Sequence, residues 1–244
     1  ETVVQGNFIG TDASGTIAIS NTEGIHISSG SGERIGGTKE AERNLISGNA
    51  SFGITLTSAN QAQILGNYIG TDATGTERVG NGAAGVAVFG DSNSVIGGSD
   101  AGASNLISGN QRAIWMRGRW SVEGTRVQGN YIGTTADGDA PLHNAYGIEI
   151  NGNGSYTEHD ILIGGSGRDG LDGGLGNYLL VGGSAENEND LASLEEAIAT
   201  WTEHDLVETL GNLGVITDDF ERDHLKGGKG EDELFGGVGD KLKA

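Results

Sequence analysis

GNFIGTD at Gly6–Asp12 returns as GNYIGTD at Gly66–Asp72 and as GNYIGTT at Gly129–Thr135, while NLISGN stands at both Asn44–Asn49 and Asn105–Asn110. Each phrase recurs after about 61 residues, and the two alternate, so the repeating unit is a pair of coils of about 30 residues each. Near-identical segments at fixed spacing are the mark of a solenoid, in which one coil stacks on the next. An antiparallel sandwich has no reason to keep such a spacing.

Working outward from these phrases, each coil divides into three short arms. The first reads TVVQGN, ERIGG, QILGN, SVIGG, RVQGN and DILIGG, starting at Thr2, Glu33, Gln63, Ser94, Arg126 and Asp160. The second alternates the two phrases above. The third reads GIHI, GITL, GVAV, AIWM and GIEI, starting at Gly24, Gly53, Gly85, Ala113 and Gly147. Alternating apolar residues bounded by glycine and asparagine are strand signals, and no helical period runs through this region. The predicted fold is all-β: a right-handed parallel β-helix over residues 1–155.

In this register Ile25, Ile54, Val86, Ile114 and Ile148 form one inward row, and Ile27, Leu56, Val88, Met116 and Ile150 a second. Asn7, Asn67 and Asn130, and likewise Asn49 and Asn110, are placed to stack as amide ladders at the turns, a structural role. The segments TDASGTIAISNTE and TDATGTERVGNGA leave after the second arm and project from one edge. Asp12 and Asp72 are expected to cap the backbone of these loops, with a cation site as the alternative.

Residues 156–244 change character. The nine-residue phrase GGSGRDGLD at Gly164–Asp172 is matched by GGKGEDELF at Gly227–Phe235. In GGxGxDxUx the glycines Gly165, Gly167, Gly228 and Gly230 permit a tight turn with converging carbonyls, Asp169 and Asp232 add charged oxygen, and the last three residues form a short strand. Such an array of hard oxygens suits calcium, which takes six to eight of them. Ninefold register also places Asp160 and Tyr178 at the sixth position. A unit that begins at Gly182 and Gly183 is completed by RDHLK at residues 222–226, so residues 185–221 read as an insertion within one turn, and Asp223 as its displaced aspartate. Leu191, Leu194, Ile198 and Trp201 share a helical face in that insertion.

Charge supports a cation-dependent tail. The formal net charge is −20; residues 1–155 hold 14 acidic and 8 basic residues, and residues 156–244 hold 20 and 6, so the tail carries −14. Such self-repulsion opposes folding unless cations neutralise it, and it argues against nucleic acid as a partner. The 46 glycines against one proline exclude collagen-like repeats, and zero cysteines exclude disulfides, thiolate chemistry and cysteine zinc sites. No stretch of about 18 apolar residues is present to insert in a membrane. Glu1 begins within a repeat, as expected of a piece of a longer chain. Calcium sites of this kind fill where calcium is abundant, so a secreted or cell-surface location is expected.

These phrases resemble two families that together cover nearly the whole chain. Residues 1–155 are similar to the β-helix repeats of large bacterial surface proteins carrying GNxIGTDxxGT and NxISGN. Residues 156–244 resemble the RTX, or hemolysin-type, calcium-binding repeat. The resemblance implies a bacterial, exported protein whose β-helix continues into a calcium-binding parallel β-roll with a small helical insertion, and calcium ligands at Asp160, Asp169, Asp223 and Asp232. In such a roll each ion lies between turns two units apart, so Asp169 is expected to face Asp223. Tyr178 and Lys241 depart from the pattern. The layout is also similar to alginate epimerases, whose DPHE phrase is missing here.

One other segment has chemical character. AIWMRGRW at residues 113–120 holds Trp115, Arg117, Arg119 and Trp120, and with Arg112 and Arg126 gives four of the chain's basic residues within fifteen positions. Aromatic faces beside guanidinium groups suit a sugar bearing carboxylates, an acidic polysaccharide; contact with a neighbouring solenoid module is the alternative. The outward row predicted for the third arm is His26, Thr55, Ala87, Trp115 and Glu149. A lyase would pair Arg117 or Arg119 with Tyr146 as base, yet no established catalytic arrangement is legible, and no catalytic residue is assigned. Three roles follow: a calcium-stabilised structural or adhesive module with glycan binding, a polysaccharide lyase or epimerase, or a filament or surface-layer unit.

Overall fold

The computed structural model describes residues 2–90, 93–98, 100–117 and 125–149, and beyond them the backbone of Ile150 and of the strands Glu158–Ile163, Gly170–Asp172, Asn177–Val181, Ser184–Ala185, Ile216–Thr217, His224–Lys226, Glu233–Phe235 and Lys241–Lys243. The protein is an all-β solenoid built from parallel sheets. One 3-10 turn, Glu40–Glu42, is the helical content among the described residues. No helix there is long and apolar enough to cross a membrane.

The three arms are three sheets. The second arm is a five-stranded sheet of Phe8–Ile9, Leu45–Ile46, Tyr68–Ile69, Leu106–Ile107 and Tyr131–Ile132. The first and third arms each form an eight-stranded sheet. In the first arm, Val3–Val4, Arg34–Gly36, Gln63–Leu65, Val95–Gly97 and Arg126–Gln128 lead into Glu158–Ile163, Asn177–Val181 and Glu233–Phe235. In the third, Ile25–Ser28, Phe52–Thr57, Ala84–Phe89, Arg112–Met116 and Tyr146–Ile150 lead into Gly170–Asp172, His224–Lys226 and Lys241–Lys243. Two sheets therefore run without interruption from the coils into the glycine-rich tail.

The predicted inward rows are the observed ones. Ile25 pairs with Ile54, Ile54 with Val86, Val86 with Ile114 and Ile114 with Ile148; Ile27, Leu56, Val88, Met116 and Ile150 follow in step. Ile46, Ile69, Ile107 and Ile132 supply the second arm's share of the core, and Ile35, Ile64, Ile96 and Val127 the first arm's. The section is narrow enough that almost every inward side chain is wholly buried, at about 1.5–3 kcal/mol for each large aliphatic group.

Two amide ladders line the corners. Asn7 donates to Asn44 at 3.1 Å, Asn44 to Asn67 at 2.9 Å, Asn67 to Asn105 at 3.0 Å and Asn105 to Asn130 at 2.9 Å. The second runs from Asn21 to Asn49 at 3.1 Å, to Asn81 and Asn110 at 2.9 Å each, and to Asn144 at 3.3 Å. The asparagines named from the sequence are thus alternate rungs. The intervening ones come from the other member of each repeat pair, where they sit in different phrases. Each buried Nδ2 also reaches a backbone carbonyl, as Asn67 does at Ile35 and Asn105 at Ile64. The ladder satisfies turn carbonyls that the sheets leave unpaired.

The second-arm loops do not merely project. Each doubles back through a single antiparallel bridge, Thr11 with Ala18, Thr71 with Arg78 and Thr134 with Pro141. They lie over the outward side chains of the second arm, which is why Leu45 and Leu106 are buried although they alternate away from the core. A Cβ on Gly75 would come within 2.9 Å of both Leu106 Cδ2 and Tyr68 Cε2, so the loop needs glycine to settle that closely. Successive loops are hydrogen-bonded to one another, from the Ala73 N–H to Gly15 O at 3.1 Å and from Ala136 to Gly75 at 3.0 Å.

In the tail, Gly170–Asp172 pairs parallel with His224–Lys226, and Asn177–Val181 with Glu233–Phe235. Ser184–Ala185 and Ile216–Thr217 pair antiparallel, which draws together the ends of the 185–221 stretch. The helix expected within that stretch lies outside the described residues.

Candidate functional site

In four of the five coils the third arm starts with glycine, and in the other with the small Ala113, because the corner before it is crowded. A Cβ on Gly85 would meet Ile107 Cγ2 at 2.9 Å and Asn110 Nδ2 at 3.0 Å, so this position faces inward, as does Val86 beside it. Strict alternation is broken there. The residue ahead of the glycine is consequently turned outward, and it joins the outward face together with the residues two and four places after the glycine.

That face is the one predicted, but it is not flat and open. His26, Thr55, Ala87, Trp115 and Glu149 are in register across the five strands. Thr55 and Ala87, however, are buried, 2% and 0% exposed. Their neighbourhood holds three aromatic rings in mutual contact: Phe52 to Phe89 at 5.8 Å, Phe89 to Trp115 at 5.6 Å and Phe52 to Trp115 at 6.2 Å, the first two pairs edge to face. Large rings on neighbouring coils have folded over the small residues between them. Edge-to-face packing of this kind is worth about 0.5–1.5 kcal/mol per pair beyond burial.

Trp115 is flanked by a charged group that is already committed. The Arg112 guanidinium sits 4.9 Å from the centre of the Trp115 ring and 5.2 Å from that of Tyr146, and its Nε is paired with the Glu149 carboxylate. The Trp115 indole N–H and the Thr55 hydroxyl are buried without a hydrogen-bond partner among the described residues. Tyr146 is 53% exposed and Arg117 is exposed at the strand end, its N–H bonded to Val88 O at 2.8 Å. Arg119 and Trp120 lie outside the described residues. Of the four ligand residues named from the sequence, the structure therefore places Trp115 and Arg117 on this face. It adds Phe52, Phe89, Arg112, Tyr146 and Glu149. The cation beside Tyr146 is Arg112, and its partner is Glu149. His26 lies farther along the same face, with Glu23 at 3.4 Å from Nδ1 and the Thr57 hydroxyl at 3.3 Å from Nε2.

The loop aspartates cap, as expected. Asp12 Oδ1 accepts the N–H groups of Thr16 and Ile17 at 3.1 Å each, and Asp72 Oδ1 those of Thr76 and Glu77 at 3.0 Å each. The Ser14 hydroxyl, with the Ile17 and Thr16 amides, holds the Asp12 carboxyl below its ordinary range. At Asp72 burial pushes upward, and the Thr74 hydroxyl with the Glu77 and Thr76 amides outweighs it, leaving a net depression. In the third loop Thr135 replaces the aspartate, and Asp137 takes over, depressed chiefly by the Thr135 hydroxyl and then by the Asp139 amide. Among the described residues no three His, Asp or Glu side chains gather as a metal site.

Of the calcium ligands expected in the tail, Asp160 falls inside the strand Glu158–Ile163, opposite Tyr178, at a register irregularity. Gly165, Gly167, Asp169, Asp223, Gly228, Gly230 and Asp232 lie outside the described residues. The donor chemistry suits calcium: carboxylates and turn carbonyls are hard oxygen ligands. The strands that follow Asp169 and Asp223 in the chain are the pair Gly170–Asp172 and His224–Lys226, with Gly170 opposite His224. Asn177–Val181, which contains Tyr178, and Glu233–Phe235, which follows Asp232 in the chain, are likewise paired, Leu179 opposite Glu233.

The fold places the molecule in the class of parallel β-solenoids with a continuous pair of sheets and an aromatic outward face. No family model, curated protein or solved structure matches the chain.

Proposed function

We propose that this chain is a calcium-stabilised structural and adhesive module of an exported bacterial surface protein, similar in its tail to RTX repeats. The observation that carries the reading is the two-unit strand register of the tail. Gly170 lies opposite His224, the arrangement a roll requires if the turns ending in Asp169 and Asp223 are to share an ion. Calcium would be held by Asp169 and Asp223, with Asp160 and Asp232 on the other edge and the carbonyls of Gly165, Gly167, Gly228 and Gly230. Bound there, it supplies positive charge to a segment of net charge −14 within a chain of −20. The residues themselves bind and orient; no bond-making step is assigned.

Adhesion is assigned to the third-arm face, where Trp115 offers a ring for an acidic polysaccharide, with Arg117, Arg119 and Trp120 as its further contacts. Calorimetric titration of the chain with calcium tests the first part. Saturable binding is expected, weakened at least about tenfold by Asp169→Asn or Asp223→Asn, the loss of one charged ligand. A titration with no calcium heat, or one indifferent to both substitutions, removes the roll reading. Retention on an immobilised uronic-acid polymer, lost in Trp115→Ala, tests the second.

A further inference from the structure

The strand Tyr146–Ile150 has two neighbours. On one side it pairs with Arg112–Met116, Arg112 opposite Tyr146 and Trp115 opposite Glu149. On the other it pairs with Gly170–Asp172, Ile148 opposite Leu171 and Glu149 opposite Asp172. The second of these neighbours directly follows the phrase GGSGRD in the sequence. The strand is thus the physical join between the aromatic face and the tail strand Gly170–Asp172. It also carries the two side chains that hold Arg112, namely Glu149 as ion-pair partner and Tyr146 as second ring.

We propose that calcium binding in the tail controls the third-arm face, with Tyr146–Ile150 as the transmitting strand; this rests on the calcium reading above. With calcium, Gly170–Asp172 is fixed and Tyr146–Ile150 is an interior strand, paired on both edges. Glu149 and Tyr146 then clamp Arg112 against Trp115. Without calcium the acidic tail repels itself, Gly170–Asp172 leaves, and Tyr146–Ile150 becomes the sheet's edge strand. Edge strands fray, because each loses half of its ladder bonds and is open to water. Arg112 loses its clamp and the Trp115 environment loosens. The first-arm join acts in parallel, since Arg126–Gln128 pairs with the tail strand Glu158–Ile163, Arg126 opposite Ile161. By linkage, a ligand that prefers the clamped face also tightens calcium binding by the same factor.

The test uses the intact chain in calcium and in chelator. Amide exchange is followed in 52–57, 112–116, 146–150 and 170–172. Trp115 emission is read in a Trp120→Phe, Trp201→Phe background. Calcium is expected to raise protection of 146–150 at least about tenfold, leave 52–57 unchanged, and make Trp115 about twofold less quenchable by acrylamide. Glu149→Gln should bind calcium as before while losing most of the Trp115 response. Calcium binding with 170–172 protected, but 146–150 and Trp115 unmoved, overturns the coupling and leaves the roll intact. A full Trp115 response in Glu149→Gln overturns the assigned route, and failure to bind calcium at all overturns both proposals.

Discussion

At the residue scale the loop aspartates show how a side chain can do the work of a missing strand. Asp72 is 5% exposed and accepts two backbone N–H groups that have no other partner in the loop. Its carboxyl is depressed below the ordinary 3.8 in the fold. A depressed acid contributes stability that is fully present above its unfolded value and lost as pH falls through its folded one. Asp12 and Asp137 are shifted in the same direction. Asp72→Asn is therefore expected to lower the melting temperature at pH 7, and the gap to the parent chain should close as the pH drops below about 4. A gap that stays constant from pH 7 to pH 3 in thermal melts would show that charge at Asp72 plays no part.

The ladder belongs to the scale of elements, since every rung ties one coil to the next. Asn67 is wholly buried and donates to Asn105, Ile35 and Leu65 while accepting from Asn44. Asn67→Ala would leave buried partners unsatisfied on both sides, at about 1–3 kcal/mol each. A loss of about 2–4 kcal/mol is expected in denaturant titration, far above that of Asn7→Ala at the exposed first rung. Equal losses at the two positions would mean the rungs contribute as local turn formers rather than as a connected row. The same scale explains what the sequence could reveal of these rows. Ile54, Val86 and Ile114 stand at fixed offsets in matching phrases, so their alignment was legible. Asn44 and Asn105 open NLISGN whereas their partners Asn7, Asn67 and Asn130 stand in GNxIGT, and only the stacking of alternate coils aligns the two phrases.

For the whole molecule, the decisive feature is that two sheets cross from coils with 14 acidic and 8 basic residues into a tail with 20 and 6. The coils are held by a continuous aliphatic core that needs no ion, whereas residues 156–244 hold 20 acidic against 6 basic residues. Limited proteolysis should separate the two. In calcium the chain is expected to resist as one body; in chelator cleavage should begin beyond residue 150 and leave a resistant core of the coils before it. Uniform digestion in both conditions would mean that tail and coils share one stability. The glycine-aspartate phrases of the tail were legible because glycine spacing and aspartate placement act locally, through backbone freedom and charge.

Repeat spacing, inward rows and capping aspartates were all determined by residues acting through local periodicity, which a linear chain displays openly. The face around Trp115 was determined otherwise. A buried Gly85 corner turns the preceding position outward, and rings from three different coils close over Thr55 and Ala87. Arg112 spends its charge on Glu149, from the adjoining coil. Partners on adjoining coils are 26 to 37 residues apart along the chain and one strand spacing, about 4.8 Å, apart in the sheet. Which of them meet depends on side-chain packing between stacked coils, and that exists only once the solenoid has closed.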